Sequence, residues 1–581
     1  VKNKRVLLFT LLAAGVLLLL GTGAFAAWRQ FFPAPEIAVT ETPDIAAMPA
    51  VDAAPASLRD NTLIQAVGMA PTTFNPIFAT DAAAQSIIDK IYPRLLGQDP
   101  AGGFIVPSAL AERWEISPDG RTYTFYLRNN IRWSDGEAVS AADFKFTYDA
   151  LASPLVQSPY RDRTVGIARI EAPNPNTVVV TLAGPNCSML HSLRQPLLPS
   201  HHFAADFSDL ATHALNQAPT ISAGPFLFVE QTPGEKVILA RNPDYWQGTP
   251  QIAQWEVRVM PDPNARREAL ADGMIDLAYF APNETIQTDL AFGASVTVSR
   301  LPTDSYSFLA LNLADPANPQ PGRGEGGSTQ AQTPHPILGD LAVRQAIAAA
   351  IDYDRILSEV YNSRAARLAG YVPPVVTWAY AGNLPLPTYD PARAAQLLND
   401  AGWTEENGSG VRTRAGQPLR LSLRTNDDNA QRVQMARILA EELAALGVDV
   451  QLEIVNFNEL TATLLDQRFD LVVIGWENLG ADPGNSPFWH TQADIPGAGF
   501  NFTSFQDAEV DGWLDSAARS PGCDLNQRAT LYKQVQERIS TTLPYIFLAT
   551  QENAWVYQSR WQGIAPGPWD IDYNVATWQA P

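Results

Sequence analysis

Two stretches of the chain repeat one order of elements, and that order restricts the fold more than any other feature. Leu419 to Thr425 reads as a strand, Gln431 to Leu446 as a helix and Val448 to Val455 as a second strand. Val433, Ala436, Ala440, Leu443 and Leu446 recur at helical spacing, and Gly447 supplies the stop. Earlier, Gln254 to Met260 is strand-like, Asn264 to Ala271 helical after Pro261-Asp262-Pro263, and Ile275 to Phe280 strand-like after Gly273. Phe469 to Trp476 carries the near-continuous apolar run Leu471-Val472-Val473-Ile474, as a parallel strand covered on both faces does. The expected fold class is α/β, with two lobes built on such crossovers. Strand ends from both lobes can then face one cleft that closes by hinge motion around a ligand.

Other segments fill in this frame. Leu63 to Gly68, Arg121 to Leu127 and Thr177 to Leu182 read as strands, and Ala82 to Leu96 as a helix. Ala314 to Pro336 contains Pro-Gly-Arg-Gly-Glu-Gly-Gly-Ser and reads as a flexible insertion, 314–336. At 581 residues the chain has room for about three or four domains.

Charge excludes several partners. With 40 Lys and Arg against 61 Asp and Glu, the net charge is -21, which argues against nucleic acid and against anionic lipid headgroups. At the N-terminal end of the sequence, Lys2, Lys4 and Arg5 precede the uncharged stretch Val6 to Ala27, the pattern of an export segment. Residues 1–27 therefore read as a signal or anchor, with Ala24-Phe25-Ala26 as a small-x-small cleavage pattern. The Ala/Pro-rich stretch 28–57 reads as a semi-extended linker, more useful to an anchored protein than to a freely secreted one. The expected location is extracytoplasmic, at the cell surface or in the periplasm.

Catalytic signals are weak. The one G-x-G-x-x-G, Gly322 to Gly327, has no strand before it and no helix opening after it. No H-E-x-x-H, G-x-S-x-G or Walker A pattern occurs, so no enzyme activity, no cofactor and no metal is expected. His201, His202 and His213 are the histidines nearest to a ligand set.

Several motifs together are more specific. Leu110 to Arg128 reads L-A-E-R-W-E-I-S-P-D-G-R-T-Y-T-F-Y-L-R, and Ile131 to Phe144 reads I-R-W-S-D-G-E-A-V-S-A-A-D-F. A-G-P-F (Ala223 to Phe226), R-N-P-D-Y-W (Arg241 to Trp246), A-L-A-D-G-M-I-D (Ala269 to Asp276), V-R-Q-A-I-A-A-A-I-D (Val343 to Asp352) and Y-D-P-A-R-A-A-Q-L-L-N-D-A-G-W (Tyr389 to Trp403) follow in order. From about residue 61 onward the chain resembles the family 5 extracellular solute-binding proteins, the peptide/nickel-type receptors of ABC importers. The resemblance implies a bilobal, periplasmic-binding-protein-like hinged trap with an extra subdomain in the first lobe. On that basis lobe I is 58–96 plus 216–310 plus 535–581, the extra subdomain 97–215 and lobe II 311–534. Cys187 and Cys523 then fall in different parts, where a bond would restrain closure, and are expected as free or buried thiols. Trp133-Ser134-Asp135-Gly136 reads as a tight turn in which Asp135 accepts backbone hydrogen bonds and Gly136 takes a positive φ.

The resemblance places the ligand at the loop after the buried strand, where open α/β sheets bind ligands. Trp476 offers an aromatic wall there, and Glu477, Asn478 and Asp482 offer polar contacts. Peptide-binding members carry an aspartate three residues after this tryptophan, paired with the peptide ammonium. This chain has Leu479, so Glu477 or Asp482 is the substitute. Arg424 or Asn426 is the expected carboxylate holder. Phe74, Asn75, Thr80, Tyr306, Phe308, Trp378, Trp489 and Phe500 are the further wall candidates. The implied function is capture of an oligopeptide or peptide-like solute and delivery to ABC permease subunits, by a monomer. A sugar, polyamine or metal chelate as ligand, or a sensor or chaperone-like role without transport, are the alternatives.

Overall fold

A computed structural model describes residues 61–405, 410–484 and 486–579 of the chain, all within one compact unit, Ala56–Pro581. The export segment 1–27 and the linker 28–57 lie outside the described residues.

The strand–helix–strand reading of the later stretch corresponds to Arg420–Asn426, Ala430–Ala445 and Asp449–Val455, with the two strands parallel and Arg420 opposite Asp449. The buried strand Leu471–Trp476 joins on the other side, parallel to Arg420–Asn426, and then pairs antiparallel with Tyr306–Leu311. In the earlier stretch Gln254–Val259 and Leu277–Phe280 do not touch each other. Thr62–Val67 lies between them, parallel to both. Lys236–Arg241 and Phe226–Thr232 extend this half antiparallel to the edge.

One long strand, Tyr545–Gln558, joins the two halves into a single 12-stranded sheet. Its first part pairs with Tyr306–Leu311 and its second part with Leu277–Phe280 and Val296–Pro302. The connection Thr303–Ser305 runs beside it, so the chain crosses between lobes at 303–305 and at about 549–551. Residues 306–310 and 535–549, read from sequence as lobe I, therefore belong to the second half-sheet and to the helix Leu525–Thr542 packed on it.

The stretch 97–215 forms a separate antiparallel sheet, Ala111–Ile116, Thr122–Leu127, Thr177–Leu182 and Ile167–Asn174. Its Tyr123, Phe125, Val178 and Val180 share one apolar cluster with Leu63, Trp255 and Trp578 of lobe I. The subdomain and lobe I are thus a single packed body, while lobe II has its own clusters around Leu423, Leu439 and Leu471 and around Phe308, Val472 and Tyr545.

Three local readings are corrected. The first helix is Ala82–Ile91, not a helix to Leu96, because Tyr92 before Pro93 is forced out of the helical region. Of the helical stripe read in sequence from Val433 to Leu446, Ala436, Leu443 and Leu446 are buried while Val433 and Ala440 are only half-buried, and Arg432, Met435, Ile438 and Leu439 complete the buried face. The 314–336 segment, read as a flexible insertion, is folded onto lobe II. Gly322 donates to the Asp494 carbonyl at 2.7 Å, Gln332 donates to the Asp494 carboxylate at 3.1 Å, and Arg323 pairs with Asp511 at 3.2 Å.

Candidate ligand-binding cleft

A cavity of about 540 Å³ opens where the two half-sheets meet the crossover. Lobe I contributes Tyr279, Asn283, Asn553 and Trp569, the crossover contributes Pro302 to Ser305 and Gln551, and lobe II contributes Tyr306, Asn429, Gln431, Arg432 and Gly475 to Asn478. Its size is within the usual range for small-ligand sites. Of the sequence candidates, Tyr306, Trp476, Glu477 and Asn478 line it.

Trp476 ends the buried strand, and its ring is stacked on Phe488 at 4.2 Å between centroids, which fixes its plane. Phe500 stands 6.0 Å from the Trp476 ring on exposed surface and does not line the cavity. Tyr306 is buried, and its hydroxyl has no hydrogen-bond partner among the described residues.

The basic group that sequence reading missed is Arg432. It lies in the first turn of the helix Ala430–Ala445, capped by Asn429, and is only 9% exposed. Its guanidinium donates to Asn426 Oδ1 at 3.3 Å and pairs with Glu477 at 3.3 Å. Burial pulls it below its ordinary value, and Glu477 partly offsets this. Gly475 makes the approach possible, since a Cβ there would lie 2.8 Å from the Tyr306 carbonyl and 3.3 Å from the guanidinium. An arginine inside an otherwise apolar stripe (Arg432, Met435, Ala436, Leu439, Leu443) is the signal that could have found it, because buried arginines are rare unless paired.

The lining carries two carboxylates, Asp304 and Glu477, against one guanidinium. Asp304 accepts from the Gly480 amide at 2.8 Å, and burial pushes its carboxyl up. Glu477 keeps most of its side chain exposed. The amide side chains of Asn283, Asn429, Gln431, Asn478, Gln551 and Asn553 also line the cavity, donors and acceptors of the kind that pair with peptide bonds.

The remaining candidates sit elsewhere. Arg424 pairs with Glu453 at 2.7 Å and does not line the cavity. Asn426 is buried behind Arg432 and also donates to Asp428. Phe308 is fully buried, stacked 3.9 Å from Tyr545, and Trp489 is fully buried 4.6 Å from the same ring, so both are core. Phe74 and Asn75 are buried, with Asn75 holding Asn216 at 2.9 Å. Thr80 is exposed beside the helix cap Asp81.

Asp482 and Trp378 build a different feature, the junction between lobe II and the subdomain. Both Asp482 oxygens accept from Arg528 Nη2 at 2.8 Å, Ser188 donates to Oδ1 at 2.8 Å, and His191 lies 3.4 Å away. Burial alone would raise the Asp482 carboxyl, but Arg528 and His191 hold it below its ordinary value. Trp378 donates to the Ala481 carbonyl at 3.0 Å and lies under Arg528. Asp482 is therefore fully engaged and is not a free partner for a ligand ammonium.

At the same junction Cys187 and Cys523, expected as free thiols, form a disulfide with Cα atoms 5.3 Å apart. The expectation failed because the subdomain packs directly on lobe II, where Cys187 donates its amide to the Ala518 carbonyl at 2.9 Å.

A two-lobed sheet joined by paired crossover segments, with a polar and aromatic cavity at the junction, defines a solute-binding protein of the hinged type. The model of the bacterial extracellular solute-binding proteins, family 5 (middle region), matches residues 106–495, and the chain belongs to that family. The oligopeptide-binding protein AppA of Bacillus subtilis is 26% identical over 517 residues, covering 87% of this chain and 89% of AppA. A putative ABC transporter peptide-binding protein of Brucella ovis is 29% identical over 488 residues, covering 81% of this chain and 83% of that protein. The solved structure of AppA in complex with a nonapeptide superposes with a TM-score of 0.62 at 25% identity, covering 90% of this chain and 99% of that one. NikA of Brucella suis in complex with Fe(III)-EDTA superposes with a TM-score of 0.68 at 26% identity, covering 90% of this chain and all of NikA.

Proposed function

We propose that this protein captures an oligopeptide or peptide-like solute in the cavity at the lobe junction and delivers it to an ABC permease, without chemistry on the ligand. The observation that carries this reading is the lining itself: one buried guanidinium, two carboxylates and six amide side chains between aromatic walls. Arg432 takes the ligand carboxylate or a backbone carbonyl, displacing Glu477. Glu477 then pairs with the ammonium in place of the aspartate that Leu479 has replaced, with Asp304 as its neighbour. An excess of one negative charge in the lining favours a zwitterionic or singly cationic solute over an anionic one. Closure follows if contacts from both lobes form only in the closed state, because a ligand shifts an equilibrium by its differential affinity for the two states. The acidic chain acts outside the cytoplasm as a monomer, tethered by the 1–27 segment through the 28–57 linker.

Mild extraction of the purified protein, followed by mass spectrometry of what is released, tests this. Short peptides are the expected product. A sugar, polyamine or metal chelate would overturn the peptide reading and identify Leu479 as the mark of a changed specificity.

A further inference from the structure

The subdomain carries a second group of chemistry-bearing side chains that the cleft does not use. Asp135 sits in the tight turn Trp133–Gly136, where Gly136 has φ +96° and the Glu137 amide donates to Asp135 Oδ1 at 3.2 Å. That bond orients the carboxylate and leaves Oδ2 directed at the short 3-10 turn Ser200–His202. His201 Nε2 lies 2.7 Å and His202 Nε2 2.8 Å from Asp135 Oδ2, and the two rings stand 4.4 Å apart. One ligand atom from each of the three lies within 4.8 Å of the others. His213 is not part of the group; its Nδ1 accepts from Leu215 and its ring lies against Phe203. None of the three residues lines the cleft cavity.

We infer that Asp135, His201 and His202 form a binding site for one divalent transition-metal ion of the zinc, nickel or copper type. Two imidazoles and one carboxylate are the donor set of open zinc sites, with waters completing the shell. Ligand atoms about 2.1 Å from a shared ion stand roughly 3.0–3.4 Å apart, so the ion enters at the point where the two nitrogens converge as the carboxylate oxygen steps back from them. In the metal-free state each Nε2 carries the proton it donates to Oδ2. On binding, each Nε2 gives up that proton, to solvent or to Nδ1 of the same ring, and its lone pair goes to the ion. The Glu137 amide serves as the outer contact that holds the ligating carboxylate in place. The side chains are about one-third exposed, so an ion reaches them from solvent. Calcium and magnesium, which prefer all-oxygen shells, are poorly matched.

The test uses the full chain without a histidine tag, stripped of metal and titrated with Zn²⁺ by calorimetry. One equivalent is expected to bind, and His202→Ala, whose ring bonds only Asp135 among the described polar groups, weakens it by about a hundredfold. No binding, or unchanged stoichiometry and affinity in His202→Ala, would overturn the inference. Copper(II) electron paramagnetic resonance on the unaltered protein gives a reading that does not depend on the variant folding. Two imidazole nitrogens on the ion are expected, and none, one or four would contradict the site.

Discussion

Removing the disulfide between Cys187 and Cys523 is expected to change both stability and ligand exchange. The bond joins positions 336 residues apart. In the chain-entropy treatment a closed loop of that length removes about 19 cal/mol/K from the unfolded ensemble, or roughly 5–6 kcal/mol at 25 °C, an upper figure because native strain and residual structure reduce it. The second effect follows from position. The bond ties the body formed by lobe I and its subdomain to lobe II, outside the crossover segments on which the lobes turn. Disulfides accept Cα separations up to about 6.8 Å, and the present value is 5.3 Å. The two bodies can therefore separate by only about 1.5 Å at this point while the bond is intact. A Cys187→Ser, Cys523→Ser double variant should melt several degrees lower and exchange a cleft ligand at least tenfold faster. Stopped-flow tryptophan fluorescence during displacement of bound ligand measures this, with untreated and thiol-reduced protein as the matched pair. Equal exchange rates in all three proteins would refute the latch, and an unchanged denaturation midpoint would refute the stabilisation.

Arg528→Met should destabilise the fold by about 3–5 kcal/mol in chemical denaturation, because it leaves the Asp482 carboxylate buried without its main partner; a loss under 1 kcal/mol would show the pair is dispensable. Arg432→Met should weaken ligand binding by roughly 10- to 100-fold, the worth of a charged hydrogen bond, and lower stability by only about 1–3 kcal/mol, because it leaves the buried Asn426 Oδ1 without its donor. Asp494 predicts a specific pH dependence. Burial, only partly offset by hydrogen bonds from Gln467 and Ser504, pushes its carboxyl up to about 6 in the folded protein from an ordinary 3.8. The folded state then holds more protons than the unfolded state between about pH 4 and pH 6, so this group's contribution falls as pH rises through that window. Asp494→Asn should flatten that slope by an amount on the order of 2–3 kcal/mol across it, read from denaturation midpoints at several pH values. An identical slope in the variant would show that Asp494 does not titrate there.

The parallel strands of lobe II were legible because their signals are local: an apolar run at Leu471–Ile474, a helical stripe and a glycine stop at Gly447. The cleft loop was legible for the same reason, since Trp476 ends a buried strand and Glu477 and Asn478 directly follow it. The lobe boundary was not, because Tyr545–Gln558 is one uninterrupted strand whose partners change halfway along it. No residue inside it announces that change. Arg424 looked like the carboxylate holder because dipeptide-binding members of the family use an arginine next to this strand, yet its side chain turns to Glu453, and the guanidinium at the cavity comes from the following helix. Asp482 and the two cysteines were misread for a shared reason. Arg528 comes from a distant helix of lobe II, while Ser188 and the disulfide come from the packing of the subdomain on lobe II, and contacts 46 to 336 residues apart leave no periodic trace.

The measurement that bears most directly on the proposed function is calorimetric titration of ligand-stripped protein with synthetic short peptides, each with a free or an amidated C-terminus. Free peptides should bind the unaltered protein, and the advantage of the free carboxylate should disappear in Arg432→Met. Failure of every peptide to bind, or a carboxylate advantage that survives loss of Arg432, would contradict the placement of a peptide-like solute in this cleft.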